Sequence, residues 1–310
     1  MTLLTQDKVQ LGFIGLGNMG SRIAQRLLDH EYHVTVYDLD EARAEALTEH
    51  GAVAAPGIVE LARTSDVILS CLTNDAAVQD VYYGDAGVLA NARPGTVAIE
   101  MSTVLPKTSR EIGQRGAQNQ VQVLDAAISG STPAAEQGSL TLLVCGDATL
   151  FESAQPLFRA ISAHSFHIGP SGAGTTMKLV VNTLLGVGMQ TIAEAIALGE
   201  RAGIERNTLL EVLSQTAVIA PAHVGKLSRA VHEDYSPQFP LRLMNKDFHL
   251  ILEMAKLLNV LMPATMAAFG VNCMELVDNP EADFSAVIRR MELLAHVSAP
   301  YSTRETPTAA

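Results

Sequence analysis

Short runs of apolar and β-branched residues alternate with amphipathic stretches along residues 1–169. Each run predicts a buried strand and each amphipathic stretch predicts a helix, because the two structures repeat their side-chain directions with different periods. The predicted strands are LGFIG, HVTVY, DVILSCL, TVAIEMS, VQVLDAA, TLLVCG and SFHIG. Strands that alternate with helices are typical of a parallel sheet wrapped by helices, so we predict an α/β domain over residues 1–169.

Helical patterns replace strand patterns after residue 169. Helix-breaking residues occur near Gly203 and at Pro221, Pro237, Pro240 and Pro263. The first helix, from about Gly174 to about Gly203, is apolar over much of its surface, and we expect it to be buried on most sides. We predict an all-helical domain over residues 170–298. Residues 299–310 are small or polar and include proline, so we expect a disordered tail.

The composition of the chain restricts its partners. Its 310 residues are enough for two domains. The net charge of -12 and the lack of any block of Lys or Arg argue against a nucleic acid partner, which needs clustered cations. Charged residues make up only 17% of the chain, which favours extensive burial or a subunit interface. We therefore expect a homodimer or homotetramer.

Several features favour a cytoplasmic protein. Three cysteines, Cys71, Cys145 and Cys273, lie far apart in the chain, which fits a reducing compartment better than a disulfide framework. The N-terminus lacks the basic and then apolar order of a signal peptide. The apolar stretch at residues 179–189 is shorter than the roughly 20 residues that cross a bilayer, so we expect no membrane segment.

Three glycines, Gly15, Gly17 and Gly20, lie in the stretch FIGLGNMGSRIAQ between a predicted strand and a predicted helix. In this GxGxxG context the first glycine permits a tight turn, the second lets the backbone approach a pyrophosphate, and the third lets helix and strand pack closely. The motif therefore predicts a dinucleotide at the helix N-terminus and a Rossmann-type, doubly wound parallel sheet. Glycines that serve only a sharp turn in a flavodoxin-like sheet are the alternative interpretation.

A second predicted strand, HVTVY, leads into Asp38, which lies 21 residues after Gly17. An acid near this position accepts hydrogen bonds from the ribose 2′-hydroxyl of NAD. Because the carboxylates of Asp38 and Asp40 would repel a 2′-phosphate, we predict NAD as the cofactor. Arg43 follows closely and leaves NADP as the alternative.

Lys178 is the only Lys, Arg, Asp or Glu between Arg159 and Glu194. A lysine is seldom buried without a reason, although its ammonium could extend to water from an apolar helix. Asn182 lies four residues later and therefore projects from the same helix face. Two polar groups on one face of an apolar helix suit a site that protonates and orients an oxygen atom.

Four stretches give the chain a family resemblance: GFIGLGNMG, DAAISGSTPAAEQGSL, GAGTTMKLVVN and NKDFHL. In this order they resemble the cofactor loop, the substrate loop, the catalytic helix and the late lysine-aspartate motif of the β-hydroxyacid dehydrogenases. That family includes 3-hydroxyisobutyrate dehydrogenase and tartronate semialdehyde reductase. The likeness covers nearly the full length of the chain.

The resemblance implies a role for each matching residue. Lys178 matches the catalytic lysine, which takes the hydroxyl proton during oxidation and returns it during reduction. Such a base needs a pKa lowered by apolar surroundings or by a nearby cation. Asn182 matches an asparagine that helps to hold the substrate, and Ser129, Gly130 and Ser131 match the loop that binds the substrate carboxylate.

The resemblance also implies the cofactor contacts. Lys246 matches a lysine close to cofactor and substrate, and Asp247 is expected to orient it; without the resemblance, the pair would be interpreted as a solvated surface. The expected cofactor-binding residues are Gly15, Leu16, Gly17, Asn18, Met19, Gly20, Asp38, Leu72, Thr73, Thr103 and Lys246.

The chain departs from the family pattern in its substrate loop. Ser131 follows Gly130 where a second glycine is common, and Ala127 stands where proline is frequent. An extra hydroxymethyl group could add a hydrogen bond or exclude a bulkier acid, so the identity of the acid stays open. We expect no metal site, because His164 and His167 would lie on opposite faces of a strand, and we expect Asp125 to cap a turn.

These features together predict an NAD-dependent enzyme that transfers a hydride to or from a small β-hydroxy acid in a cleft between the domains. An imine reductase of the same fold is the nearest alternative, but such enzymes commonly carry Asp or Tyr in place of Lys178. A non-catalytic dinucleotide-binding protein is the other alternative. The presence of Lys178, Asn182 and Lys246 argues against it.

Overall fold

The computed structural model of the protein describes residues 3–296, so the tail predicted to be disordered lies outside the described residues. The chain divides into two compact units, Met1–Val181 and Asn182–Ala310. Within the described residues, the first unit contains a sheet with its flanking helices and the second contains mainly helices. The fold is therefore a doubly wound α/β unit followed by a helical unit, as the pattern predicts.

Eight strands form one sheet in the first unit: β1 Gln10–Ile14, β2 His33–Tyr37, β3 Val53–Ala54, β4 Val67–Ser70, β5 Val97–Glu100, β6 Gln122–Ser129, β7 Leu140–Cys145 and β8 Ser162–Gly169. Their order across the sheet is β3-β2-β1-β4-β5-β6-β7-β8. The seven predicted strands are all present. The sequence pattern does not predict β3, because its two residues are exposed and carry no apolar pattern.

Fourteen α-helices follow or separate these strands within the described residues. In the first unit they are α1 Gly20–Asp29, α2 Glu41–Thr48, α3 Ile58–Thr64, α4 Asp75–Tyr82, α5 Val88–Asn91, α6 Pro106–Gln118, α7 Thr132–Glu136 and α8 Ala148–Ile161. The long helix α9, Ala173–Arg201, continues into the second unit. The remaining helices are α10 Arg206–Ser214, α11 Pro221–Ala230, α12 Leu241–Leu257, α13 Pro263–Asp278 and α14 Val287–Leu294.

Apolar side chains pack on both faces of the sheet. Val67 and Leu69 of β4 belong to the cluster that contains α1 and α8, whereas Ile68 between them belongs to the cluster that contains α3, α4 and α6. This alternation follows from the two-residue period of a strand. Burial on both faces explains why the central strands are continuous apolar runs in the sequence.

The sheet is parallel except where β6 pairs with β7 in the antiparallel direction. Only residues 130–139 connect these two strands, and they include the short helix α7. A parallel return needs a crossover of about a dozen residues or more, so this connection forces β7 to reverse direction. The last residue of β6 is Ser129. The predicted substrate loop therefore includes the turn between two antiparallel strands.

Helix α9 is less buried than the sequence predicts. Leu179, Met189 and Ile196 are buried, but Leu184 is 72% exposed and Leu198 is 73% exposed. The prediction of burial on most sides is therefore wrong, because the elements that pack on α9 within one chain leave these side chains uncovered. By length and composition α9 could cross a membrane, and 44% of its most apolar window is buried inside the protein.

A buried ion pair anchors the segment that precedes α12 in the second unit. Asp283 accepts a hydrogen bond from Nζ of Lys226 at 2.7 Å and others from the backbone N–H groups of Gln238 and Phe239, each at 3.0 Å. The carboxylate is fully buried, so these donors replace the water that it loses. This arrangement fixes the start of α12, the helix that carries Lys246 and Asp247.

Candidate functional site

The glycine loop between β1 and α1 has the geometry of a phosphate-binding turn. Gly15 has φ +92°, and a Cβ atom on Gly20 would lie 1.9 Å from the carbonyl oxygen of Gly15. A Cβ atom on Gly17 would have no neighbour within 4 Å. The backbone conformation of Gly15 and the close contact at Gly20 therefore require glycine for the fold itself. A side chain at Gly17 would instead extend into open space beside the N-terminus of α1. This is the space into which the fold admits a pyrophosphate, so the loop fits a dinucleotide.

Asp38 follows β2 and contacts the glycine loop directly. Its Oδ2 atom accepts a hydrogen bond from the N–H of Leu16 at 2.6 Å, and its Oδ1 atom accepts one from the N–H of Asp40 at 2.9 Å. Nε of Arg43 lies 3.1 Å from Oδ2 of Asp40, and Nη1 of Arg43 lies 3.9 Å from Oδ1 of Asp38. The structure thus places the predicted ribose-binding acid beside the loop, with a cation close to two carboxylates.

Three of the expected cofactor-binding residues follow the carboxyl ends of β4 and β5: Leu72, Thr73 and Thr103. Leu72 donates its N–H to Oγ of Ser102 at 2.8 Å, and the N–H of Ser102 donates to Oε1 of Glu100 at 2.8 Å. This chain of hydrogen bonds joins the segment of Leu72 and Thr73 to the segment that precedes Thr103. The carboxyl ends of adjacent parallel strands in an open sheet are where such folds bind ligands.

Glu100 is a buried acid that sequence analysis did not single out. It is 1% exposed, and burial raises its pKa to about 7. Its Oε2 atom is buried without a hydrogen-bond partner among the described residues. The signal in the sequence is a glutamate inside the apolar run TVAIEMS, since an acid within a buried strand needs a local partner.

The predicted carboxylate-binding residues lie at the end of β6 and in the turn after it. Ser129 is the last residue of β6, Gly130 has φ +148°, and Ser131 is the residue before α7. A Cβ atom on Gly130 would lie 2.7 Å from Cδ2 of Leu140, so the turn requires glycine. Gly130 therefore has one hydroxyl-bearing residue on each side, Ser129 before it and Ser131 after it.

Arg22 connects this turn with the glycine loop. Its Nε atom lies 2.6 Å from Oε1 of Glu136, the last residue of α7, and its Nη1 atom donates to the carbonyl oxygen of Asn18 at 2.7 Å. Helices α1 and α7 also pack together, with Ile23 and Ala135 in one buried cluster. Two segments that sequence analysis assigned to different ligands are therefore in direct contact.

Asn182 forms part of a buried polar network in the second unit. It is 1% exposed, and its Nδ2 atom donates to Oδ2 of Asp247 at 2.5 Å. Nζ of Lys246 lies 3.0 Å from Oδ1 of Asp247. Because Asp247 is only 2% exposed, the interpretation of this pair as a solvated surface is wrong.

The amide of Asn182 has one atom available to another group. Its Oδ1 atom is buried and has no hydrogen-bond partner among the described residues. Lys178 is in the same continuous helix, one turn earlier, so the two side chains share a helix face. An unpartnered acceptor suits a hydroxyl group, which can donate one hydrogen bond to it and accept another from an amine.

His164 and His167 both lie in β8. Within residues 3–296, no group of three or more His, Cys, Asp or Glu side chains is placed to hold a metal ion.

Two family models together match most of the chain. One describes the NAD-binding domain of 6-phosphogluconate dehydrogenase and matches residues 10–169. The other describes the NAD-binding domain of NADP-dependent 3-hydroxyisobutyrate dehydrogenase and matches residues 172–291. The boundary between the two matches lies just before α9.

Relatives with named activities also match most of this chain. A 2-(hydroxymethyl)glutarate dehydrogenase of Eubacterium barkeri is 35% identical, over 94% of this chain and 98% of its own. An NAD-dependent L-serine dehydrogenase of Pseudomonas aeruginosa is 37% identical, over 80% of this chain and 85% of its own. The structure of Mycobacterium tuberculosis 3-hydroxyisobutyrate dehydrogenase with L-serine is 28% identical, covers 91% of this chain and 99% of its own, and has a TM-score of 0.84. The chain therefore belongs to the β-hydroxyacid dehydrogenase family and is an oxidoreductase of nicotinamide dinucleotides and hydroxy acids.

Proposed function

We propose that this protein is an NAD-dependent dehydrogenase of a small β-hydroxy acid, with Lys178 as its acid-base residue and Asn182 as its partner on α9. The observation that carries the proposal is the buried Asn182, whose Nδ2 atom is held by Asp247 while its Oδ1 atom has no partner among the described residues. A substrate hydroxyl would satisfy this oxygen. Lys178, which shares its helix face, would then be the group to exchange the hydroxyl proton.

Each residue has a defined task in this reaction. A bound dinucleotide supplies the hydride acceptor or donor at its nicotinamide ring. Nζ of Lys178 takes the proton from the hydroxyl oxygen during oxidation and returns it during reduction. Asn182 fixes the direction of the hydroxyl, and Lys246, held by Asp247, adds a positive charge to the cofactor side of the site. Leu72, Thr73 and Thr103 of the first unit would contact the nicotinamide half of the cofactor.

We assign the substrate carboxylate to Ser129, Gly130 and Ser131. Backbone N–H groups and hydroxyl groups in a turn can bind an anion through several hydrogen bonds. The relatives named for L-serine and 2-(hydroxymethyl)glutarate both act on acids with a hydroxymethyl group next to the carbon that bears a carboxylate. We propose a primary β-hydroxy acid of this kind. The hydroxyl of Ser131 favours an acid with a small or polar substituent.

We propose NAD as the preferred cofactor. Asp38 and Asp40 lie together after β2, and a 2′-phosphate beside them would meet two carboxylates. The glycine loop, with Leu16, Asn18 and Met19 between its glycines, would contact the pyrophosphate. Arg43 already has Asp40 at 3.1 Å, so it is not freely available to a phosphate. NADP use through Arg43 is the alternative.

We also propose that the protein is a cytoplasmic homodimer or homotetramer whose cofactor domain is residues 1–169 and whose helical domain is residues 170–298. Cys71, Cys145 and Cys273 form no disulfide within the described residues, which supports a reducing compartment. The exposed apolar side chains Leu184 and Leu198 support a subunit interface on α9. Light scattering during size-exclusion chromatography measures the mass. A monomer at micromolar concentration would contradict this assembly.

The test of the reaction compares Lys178→Ala with Lys256→Ala, which removes an exposed lysine of α12. Each protein is mixed with NAD or NADP and a panel of β-hydroxy acids, and nicotinamide absorbance is followed. We expect Lys178→Ala to lower kcat by about 10²- to 10⁴-fold, as loss of an acid-base group does, and to leave the Kd for NADH unchanged. Lys256→Ala should behave like the wild type.

The same assay separates the alternatives. Near-normal turnover by Lys178→Ala would contradict the assignment of the proton to this lysine. Turnover of cyclic imines but of no hydroxy acid would favour an imine reductase. Binding of NADH without turnover of any substrate would favour a non-catalytic dinucleotide-binding protein.

A further inference from the structure

Asp125 is a buried acid in β6 to which the proposed reaction gives no task. It is 2% exposed, and its Oδ2 atom accepts a hydrogen bond from the N–H of Gly172 at 2.6 Å. Gly172 immediately precedes α9, the helix that carries Lys178. The sequence predicts that Asp125 caps a turn, and the structure shows its carboxylate binding the backbone at the start of a helix, 47 residues away in the chain.

The other oxygen of Asp125 lies against the first turn of α9. A Cβ atom on Gly174 would be 2.4 Å from Oδ1 of Asp125 and 2.5 Å from the carbonyl oxygen of Leu143. Only glycine permits so close an approach at this position. The first turn of α9 is therefore packed closely against β6, through the carboxylate of Asp125, and against the backbone of β7.

The residue before α9 is confined from a second direction. Gly172 has φ +89°, and a Cβ atom there would lie 2.8 Å from the carbonyl oxygen of Pro106 in α6. The start of α9 is thus held between α6 on one side and the carboxylate of Asp125 on the other. A side chain at position 172 would push the helix away from α6, and one at position 174 would push it away from the carboxylate of Asp125.

The charge of Asp125 suits this position. Backbone N–H groups at the start of a helix point away from it and carry partial positive charge, which a carboxylate stabilises. Burial raises the pKa of Asp125 to about 6, so the group is ionised above this pH. The interaction joins a charged acceptor to a buried backbone donor, and such charge-assisted hydrogen bonds are stronger than neutral ones.

Lys178 lies in the second turn of α9, five residues after Ala173. A helix rises 1.5 Å per residue, so the lysine is about 7.5 Å along the axis from the first residue of the helix. A hydrogen-bonded helix is stiff over so short a length. Movement of its first turn would therefore be transmitted to the amine, and a displacement of 1 Å at a reacting group can cost about 10²-fold in rate.

We propose that Asp125 is a positioning residue for Lys178, acting by fixing the first turn of α9 against the sheet. The inference rests on the proposed function, because it assigns to Asp125 the placement of the group that exchanges the proton. Asp125 touches neither substrate nor cofactor in this proposal. Its substitution should therefore lower kcat and leave the binding of both almost unchanged.

The test uses Asp125→Asn and Asp125→Ala, with Asp147→Asn as the matched control. Asp147 caps α8 in the same unit, accepting the N–H of Leu150 at 2.8 Å, and α8 carries none of the proposed site residues. We expect kcat to fall about tenfold for Asp125→Asn, which retains an acceptor, and about 100-fold for Asp125→Ala. KM for the hydroxy acid and Kd for NADH should stay within about twofold. Asp147→Asn should lower the melting temperature yet leave kcat unchanged.

A double variant distinguishes positioning from general damage. If Asp125 acts through Lys178, adding Asp125→Asn to Lys178→Ala should not lower kcat further, because residues that act as a unit are not additive. A further tenfold loss in the double variant would overturn the proposal. So would normal kcat in Asp125→Asn alone, and this variant decides the question if Asp125→Ala does not fold. If Lys178→Ala itself retains full turnover, the proposed function fails and not this inference alone.

Discussion

Asp247 of α12 holds the amide of Asn182 on α9, with 2.5 Å between Oδ2 of the acid and Nδ2 of the amide. The same carboxylate lies 3.0 Å from Nζ of Lys246 through its other oxygen. One buried acid therefore orients two side chains that the family resemblance assigns to substrate and cofactor. An isolated buried carboxylate is costly, so the contacts with Asn182 and Lys246 explain how Asp247 can be buried.

We predict that Asp247→Ala lowers kcat/KM for the hydroxy acid by about 10- to 100-fold. The loss follows from a hydrogen bond to a charged group, which contributes about 1.5–3 kcal/mol. Without the acid, the amide of Asn182 can rotate and Lys246 loses its anchor. Steady-state kinetics with saturating NAD would measure the change.

Glu281→Ala is the matched control, since Glu281 pairs with Arg242 of α12 at 2.7 Å on the protein surface. Exposed pairs contribute about 0–1 kcal/mol, so this variant should keep wild-type kinetics. Equal kinetics in the two variants would show that Asp247 has no special part in the site.

The glycine loop gives a second prediction, because its glycines differ in their surroundings. Gly17→Ala meets no atom within 4 Å, so the protein should fold normally. The added methyl group would occupy the space for the pyrophosphate, and we expect the Kd for NADH to rise at least tenfold. Isothermal titration calorimetry would measure the Kd, and circular dichroism would measure the fold.

Gly225→Ala is the control for this variant, because Gly225 is also free of neighbours but lies in α11 of the other unit. It should leave the Kd for NADH unchanged and stabilise α11 by about 0.5–1 kcal/mol. Gly20→Ala, whose Cβ would lie 1.9 Å from a backbone oxygen, should instead disturb the fold. Unchanged NADH affinity in Gly17→Ala would refute the pyrophosphate assignment.

The elements that the sequence predicts are those with a local cause. Buried strands such as β4 are continuous apolar runs because both faces are covered, and the glycine loop has a fixed spacing because a turn and a helix contact require it. The direction of β7 depends instead on the length of the connection before it. The exposure of Leu184 depends on which elements of the same chain reach α9. Neither the direction of β7 nor the exposure of Leu184 leaves a pattern within a short stretch of sequence.

The site shows the same division. Lys178 is apparent because it is the only Lys, Arg, Asp or Glu between Arg159 and Glu194, and Asn182 is apparent because it follows four residues later on the same helix face. Glu100, Asp125 and Arg22 are not, because each acts on a segment distant in the chain or on a backbone group. A hydrogen bond to a backbone atom requires only a side chain long enough to reach it with an acceptor or a donor. Many different sequences can therefore form such a bond. Such residues become visible only when the partner is known.

Cofactor preference gives a third prediction. The wild type should have a kcat/KM at least tenfold higher with NAD than with NADP, because we propose that the cofactor ribose binds beside Asp38 and Asp40, whose carboxylates would repel a 2′-phosphate. Asp40→Asn removes one carboxylate and releases Arg43 from an ion pair of 3.1 Å. We expect about a fivefold gain in kcat/KM with NADP, the equivalent of about 1 kcal/mol for an exposed pair.

Glu41→Gln is the control for Asp40→Asn, since it removes the same charge from the neighbouring exposed residue at the start of α2. It should leave the ratio of the two cofactors unchanged. A wild type that prefers NADP would show that Arg43 governs the choice, and the proposal of NAD would then be wrong.

The buried Glu100 gives a fourth prediction, on the pH dependence of stability. Burial raises its pKa from 4.5 to about 7, so the folded protein binds a proton that the unfolded chain releases between these two values. Stability contributed by this group is therefore present below pH 4.5 and declines as pH rises to about 7, by about 1.4 kcal/mol per pH unit. Glu100→Gln retains an acceptor for the N–H of Ser102 and removes the ionisation.

We expect Glu100→Gln to unfold at higher urea concentration than the wild type at pH 8, with a difference that shrinks toward pH 5. Both proteins keep every other titrating group, so their difference reports position 100. Glu152→Gln, at an exposed position of α8, should match the wild type at each pH. A difference between Glu100→Gln and the wild type that stays constant from pH 5 to pH 8 would mean that Glu100 is ionised throughout. Its carboxylate would then have to be stabilised by its contact with Ser102 more strongly than burial destabilises it.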